Sequence, residues 1–468
     1  MMRQFTFTSV GTLVLCAVLI GQQRPPQLPA PSQAHPNPGR VIPRPEGAQL
    51  KAPEGFTVSI FADDVQSARM MEYAPNGDLF VSQTGANIIS VLRDTNNDGT
   101  PDTRSVFIQG PPPPARRGGP PPAVAPGGAG AGRGPGAGAP PGAGAVPAGA
   151  PPAGAPPPGA AQGPGRGAAP PQPVCTGETV GGRQPLGLVF QPGYLYVGFT
   201  DCVVRYKYQP GDTQGSQPER LVDLPGGGNH FARNVTFSRD GKKMYVTVGS
   251  ASNNSESEDV RRAAISEYNA DGTGFRIFAS GLRNPTALAW QPGTSTLWTS
   301  VNERDNLGDD LVPDYFTSVK EGGFYGWPFS YIGSNYDPLH VGKLPNLVKT
   351  ALVPDVLLGA HSAALGATFY TGMQFPQRYR NGAFIAMHGS WNRSKANGYK
   401  VGFVPFQNGK PGPVEDFLTG FLVNDGTDGQ ITSWGRPVGV TVARDGALLV
   451  SDDGGNRILK VSYAAVRR

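Results

Sequence analysis

The sequence is short of helical pattern, of cysteine and of long apolar runs, and each shortage excludes something. Apolar residues almost nowhere recur at the three- and four-residue intervals of an amphipathic helix, which argues against helical bundles and alternating α/β folds. Three cysteines occur in 468 residues, and none stands in a Cys-x-x-Cys-His haem-attachment motif. The apolar run at residues 10–20 is too short to span a bilayer comfortably. It follows Arg3 and ends at Gly21-Gln22-Gln23, which suits a signal peptide over residues 1–23 and a periplasmic or secreted protein with no stable membrane span; a retained membrane anchor is the alternative. Cys16 lies inside that run behind Leu15, where a lipoprotein site would place a small residue. Processing would leave Cys175 and Cys202, and two cysteines in an exported chain favour a disulfide, with two unpaired thiols as the alternative. Charge of one sign is also scarce. The formal net charge is +5, but Arg116, Arg117, Arg133 and Arg166 supply +4 within residues 111–173, which hold no acidic residue or lysine. The remainder is close to neutral, which argues against a basic nucleic-acid footprint.

Glycine (66) and proline (49) are abundant, so part of the chain lies outside any core. Residues 24–49 are proline-rich and aperiodic and are expected to form a disordered leader. Residues 111–173 are almost entirely Pro, Gly and Ala. They cannot bury enough apolar surface to offset ordering entropy and are expected to form a disordered loop insertion. Elsewhere one pattern recurs: an apolar strand, a turn of the Asp-Gly kind, a second strand, a polar loop and a third. Its copies fall at residues 71–91, 186–206, 235–249, 287–301, 365–404 and 438–461. Short alternating strands at such a period indicate an all-β, six-bladed β-propeller over residues 50–465. Residues 57–62 would complete the last blade and close the ring.

Two polar clusters fall where blades meet. In the first, Gly226-Gly227-Gly228-Asn229 delivers His230 to the start of a strand, and three glycines let the backbone approach a ligand closely. His230 reads there either as a functional base or as a capped surface histidine. The second cluster runs from Gly281-Leu282-Arg283-Asn284-Pro285 through residues 302–310 to Gly326-Trp327-Pro328. Its carboxylates, asparagines and carbonyls suit a hard cation such as calcium, with Asp305 and Asn306 as ligands. Arg283 and Arg304 suit a carboxylate-bearing ligand; a salt-bridged loop that only caps its blade is the alternative. Asp94-Thr95-Asn96-Asn97-Asp98-Gly99 copies the first half of a calcium loop, but Ser105 stands where the bidentate glutamate belongs, so an Asx-rich turn is the plainer reading.

Together, Gly281-Leu282-Arg283-Asn284-Pro285, Glu303-Arg304-Asp305, Leu307-Gly308-Asp309-Asp310 and Gly323-Phe324-Tyr325-Gly326-Trp327-Pro328 resemble the sorbosone dehydrogenase group. His388-Gly389-Ser390-Trp391-Asn392-Arg393 and Gly435-Arg436-Pro437 fit it too. That group is related to the soluble quinoprotein glucose dehydrogenases and to pyranose dehydrogenases. The resemblance covers about residues 50–108 and 180–465. It implies pyrroloquinoline quinone (PQQ) with calcium at the channel mouth and oxidation of a sugar or sugar-derived aldehyde by hydride transfer to the quinone. Electrons would pass to an external acceptor such as a cytochrome or quinone. By the same resemblance His230 is the catalytic base, and Arg283, Asn284, Arg304, Arg393 and Arg436 hold the cofactor. The glucose dehydrogenases carry a cofactor lysine in the fifth blade, where this chain reads Ala386-Met387-His388. They also carry an arginine pair in the last blade, where Arg436 stands alone. A calcium-dependent lactonase-type hydrolase and a non-catalytic binding propeller are the alternative readings.

Overall fold

The computed structural model describes residues 26–110 and 183–464, all within one compact unit. The expected signal peptide, the whole of the insertion and Cys175 lie outside the described residues. Among those described, helix is confined to one turn at Pro345–Val348 and a 3-10 turn at Gln377–Tyr379. The rest of the regular structure is strand, built mainly into six antiparallel meanders.

Sheet I comprises Ala68–Tyr73, Leu79–Gln83, Ile88–Arg93 and Thr103–Gln109. Sheet II comprises Leu188–Gln191, Tyr194–Phe199, Cys202–Lys207 and Ser216–Asp223. Sheet III comprises Val235–Phe237, Lys243–Val248, Ala264–Asn269 and Arg276–Ser280, with Gly323–Phe324 added in parallel. Sheet IV comprises Ala289–Trp290, Leu297–Val301, Pro313–Ser318 and Val356–Ala360. Sheet V comprises Ala364–Phe369, Ala383–Met387, Lys400–Val404 and Glu415–Leu418. Sheet VI comprises Pro437–Val442, Leu448–Asp452 and Arg457–Tyr463, and Phe56–Ala62 pairs antiparallel with its outer strand. The six repeats read from the sequence each fall on one of these sheets.

Six apolar clusters separate the sheets, one for each neighbouring pair, the sixth lying between sheets VI and I. Hydrogen bonds tie the inner strands around the ring. Thr84 donates to the Pro185 carbonyl at 2.6 Å, Thr286 to Ala364 at 2.8 Å, and Ser451 to Arg69 at 2.5 Å. The innermost strands of all six sheets line one channel of about 320 Å³. Turns between first and second strands collect at one end of it. Gly77, Gly241 and Gly446 each take positive φ there, a conformation that needs no Cβ.

Residues 26–49 depart from the expected disorder. They run extended across the opposite end of the ring, and Arg40–Val41 pairs in parallel with Thr432–Ser433. Proline restricts the unbound segment, and main-chain groups between the prolines find partners, so composition alone misread it. The Asp94 loop closes on itself: the Asp98 and Gly99 amides donate to Asp94, and Thr95 donates to Asp102. That is the Asx-rich turn.

Candidate active site

The end of the ring where the inner strands begin gathers nearly every candidate residue. His230 precedes the first strand of sheet III, Arg283 and Asn284 that of sheet IV, and Arg436 that of sheet VI. Second strands end at the same level and supply Ser250, the 302–310 loop and the 388–393 loop.

His230 is half-buried, and its Nδ1 lies 2.8 Å from the Ser250 carbonyl. A carbonyl only accepts, so Nδ1 carries the proton and Nε2 keeps the lone pair. Burial first, and then the Arg283 guanidinium, push the imidazole down from 6.5 to about 3. It is therefore neutral at any ordinary pH. Gly249 makes room for this arrangement: a Cβ there would meet Asn284 Oδ1 at 2.3 Å and His230 Cβ at 2.7 Å.

Arg283 is buried, and its donors are occupied by protein. It reaches the Asn253 carbonyl and Oδ1 at 3.2 and 3.0 Å, the Glu303 carbonyl at 2.5 Å and Asp305 Oδ2 at 3.0 Å. Arg304 turns away into a buried ion pair with Asp337 at 2.5 Å. Both arginines thus organise the loop. Asn284 is buried, donates to Asn302 at 3.2 Å and leaves its Oδ1 without a protein donor.

Asp305 and Asn306 do not form an open oxygen cluster. Asp305 lies between Arg283 and His361, whose Nδ1 is 3.6 Å away, and Asn306 is exposed with φ of 71°. The Gly308 carbonyl accepts from His361 Nε2 at 2.9 Å. Among the described residues no group of three or more His, Cys, Asp or Glu side chains is arranged to hold a metal. A cation would have to compete with a guanidinium and an imidazole for the loop's inward oxygens. The residues present do not fit calcium there, and no catalytic step is assigned to it.

Across the channel mouth the charge pattern differs. Arg393 makes only long contacts, 3.4 Å to Asp310 and 3.5 Å to the Ala360 carbonyl, and its buried Nε has no protein acceptor. Arg436 donates to the His388 and Gly389 carbonyls at 3.0 and 3.1 Å and lies 5.5 Å over the Tyr399 ring. Beside it stands a group that sequence reading missed. Asp453 pairs with His388 at 2.8 Å and with Arg69 at 2.7 Å, and Arg69 also lies 5.7 Å over the Phe231 ring. Burial lowers His388 to about 4, against the pull of Asp453. The second arginine beside Arg436 therefore comes from sheet I, far away in sequence. Trp391 exposes half of its side-chain surface on this rim, and the buried Asn392 has an unpartnered Oδ1. A larger groove of about 700 Å³ lies at the other end of the ring, lined by Gln291, Arg378 and Asn408, and holds no histidine.

Comparison with known proteins agrees with this geometry. Residues 196–390 match the family described as glucose/sorbosone dehydrogenase, and residues 348–464 match a TrAA12-like family. An uncharacterised protein of Borreliella burgdorferi is 32% identical over 301 residues, covering 61% of this chain and 77% of the relative. An Escherichia coli aldose sugar dehydrogenase is 27% identical over 167 residues, 32% of this chain. A PQQ-dependent pyranose dehydrogenase of Coprinopsis cinerea is 25% identical over 313 residues, 54% of this chain. The chain spans less than half the length of these two named relatives, 43% and 42%. Among solved structures, a Trichoderma reesei Carbohydrate-Active Enzymes Family AA12 protein superposes with TM-score 0.64 at 17% identity, covering 92% of this chain and all of its own. The holo PQQ domain of Coprinopsis cinerea pyranose dehydrogenase gives TM-score 0.64 at 18% identity, covering 90% and 98%. The fold is theirs, and the chain belongs to the glucose/sorbosone dehydrogenase family.

Proposed function

We propose that this chain is an exported, PQQ-dependent dehydrogenase that oxidises a sugar or sugar-derived aldehyde, on a six-bladed β-propeller. The observation that carries the reading is the division of the channel mouth into two halves. One half holds a neutral histidine with an available Nε2 beside Asn284, and the other holds Arg436, Arg69 and Arg393, whose buried Nε the protein leaves unsatisfied. Buried polar atoms without partners are expensive, so Arg393 Nε calls for an acceptor such as a carboxylate, and Asn284 Oδ1 and Asn392 Oδ1 call for donors. PQQ carries three carboxylates on a planar ring system and fits that demand. Arg393, Arg436 and Arg69 would meet its carboxylates, and Asn284 and Asn392 would accept from its ring N–H or from a hydroxyl of the sugar. Arg283 and Arg304 act one layer behind, holding the 302–310 loop.

When bound, PQQ would supply the two-electron acceptor for hydride from the sugar carbon. The chain's own part is to position the sugar and take its hydroxyl proton at His230 Nε2. The Ser250 carbonyl fixes the ring and tautomer for that transfer, and burial, helped by Arg283, keeps the imidazole unprotonated while it waits. The disulfide-bonded state of Cys202 suits an oxidising compartment, and no described helix is long and apolar enough to cross a membrane. Electrons then pass to an external acceptor such as a cytochrome or quinone.

The test is reconstitution of the purified chain with PQQ, followed by a panel of aldoses and sorbosone-type aldehydes with an artificial electron acceptor. Acceptor reduction that needs both PQQ and sugar is the expected result. A chain that binds no PQQ, or one that opens lactones without it, would overturn the reading.

A further inference from the structure

Residues 28–42 lie on the rim that carries these groups. The Ser32 amide donates to the Leu307 carbonyl at 2.9 Å, and His35 lies 3.4 Å from Asp309, which also accepts from the Ser394 amide at 3.1 Å. Asn37 is the hub. Its amide donates to Trp391 at 2.9 Å, its Nδ2 to the Ser394 and Gly429 carbonyls at 3.1 and 2.9 Å, and its Oδ1 accepts from Ile431 at 3.3 Å. One asparagine so joins the 391–394 loop to the segment that leads into Arg436.

Two glycines admit the segment. A Cβ at Gly308 would lie 2.0 Å from Ser32 Oγ, and one at Gly39 would lie 2.1 Å from the Tyr399 hydroxyl. Tyr399 in turn donates to the Ser390 carbonyl at 2.9 Å and presents its ring to Arg436. The chain of contacts Gly39, Tyr399, Arg436 runs from the segment to a cofactor arginine without a gap.

We propose that residues 28–42 are a positioning strap of the site: they tie the 303–310 loop, the 388–394 loop and the approach to Arg436 into one rim, which sets Arg393 and Arg436 for a cofactor's carboxylates. The strap touches none of the reacting atoms. Its cofactor role rests on the PQQ reading, whereas its bracing of the loops rests on the contacts alone. Partners behind a first layer of ligands commonly change affinity by about 10-fold or more when removed, because the ligands lose their orientation.

Asn37→Ala and Gly39→Ala in the full chain test it with two readouts. Amide exchange of the cofactor-free proteins should rise at residues 307–310 and 391–394 and stay unchanged in the sheets. PQQ affinity should fall about 10-fold, with turnover at saturating PQQ close to wild type. Unchanged exchange in both loops would overturn the strap, and raised exchange with unchanged PQQ affinity would overturn its positioning role. A wild-type chain that binds no PQQ sinks the functional reading instead, and the exchange comparison still decides whether the strap braces the loops.

Discussion

His230 owes its proposed role to two neighbours rather than to its own chemistry. The Ser250 carbonyl dictates which nitrogen is basic, and burial with Arg283 sets when it is basic. His230→Gln should bind PQQ as wild type does yet turn over roughly 10²–10⁴-fold more slowly, as measured at saturating cofactor and sugar. The base limb of the wild-type pH profile should fall below about pH 5, because the folded value is near 3 and not 6.5. A limb near 6.5 that persists in the variant would assign the proton to another group. Glu72 shows the opposite sign. It lines the channel, and burial raises its carboxyl from 4.5 to about 7. A raised carboxyl gives stability that is complete below about pH 4.5 and is lost as pH climbs through about 7, since only the unfolded chain ionises readily. Glu72→Gln should therefore raise Tm by roughly 2–4 °C at pH 8 and by less than half of that at pH 5. An equal gain at both pH values would mean that Glu72 is already ionised in the fold.

At the scale of elements, the strand ends matter more than the strands. Gly249 closes the second strand of sheet III and separates His230 from Asn284 with no room for a methyl group. Gly249→Ala should cost about 1–3 kcal/mol by overpacking and at least about 10-fold in turnover, as both side chains are pushed from their places. Thermal unfolding and turnover measured on the same sample check it, and a variant with wild-type turnover would remove His230 and Asn284 from the mechanism together. The strand pattern itself was legible because period-2 alternation and Asp-Gly turns are local signals, and all six repeats landed on sheets. The fourth strands, such as Ser216–Asp223, were not: that strand is largely exposed, so alternation hardly marks it. The strap was misread for a related reason. Its ordering comes from main-chain bonds to loops more than 250 residues away, and composition carries no trace of those. Of the candidate site, His230, Asn284, Arg393 and Arg436 were legible from motifs, and all four stand at the channel mouth. Arg69 and Asp453 were not, because only closure of the ring brings sheet I against sheet VI. The sequence also could not say that Arg283 and Arg304 already have acceptors inside the protein, or that Asp305 lies between two cationic partners.

For the whole molecule the decisive contacts are those that join the first strand to the last and each sheet to the next. Phe56 on the closing strand packs edge-on against Phe375, Tyr379 and Phe417 at 4.7–5.3 Å, so sheets V and VI share one aromatic cluster with the chain's beginning. The junction between sheets I and II is closed differently. Asn87 holds both flanks of the insertion: its carbonyl accepts the Gly110 amide at 2.9 Å, and its Oδ1 accepts the Gln184 amide at 2.7 Å. Chain leaving sheet I and chain entering sheet II therefore meet at one residue. Replacing residues 111–173 by a short Gly-Ser linker, with Cys175 kept, shortens a closed loop and changes its closure entropy by less than about 2 kcal/mol, in the stabilising direction. The expected outcome is a Tm within about 2 °C of wild type and unchanged PQQ affinity. A fall in Tm of more than about 10 °C would show that the segment packs on the ring. Asn87→Ala in the shortened chain separates the two causes of any smaller loss: if the Asn87 side chain is the clasp, that substitution should cost about 1–3 kcal/mol, the usual price of leaving an amide, here that of Gln184, without its acceptor.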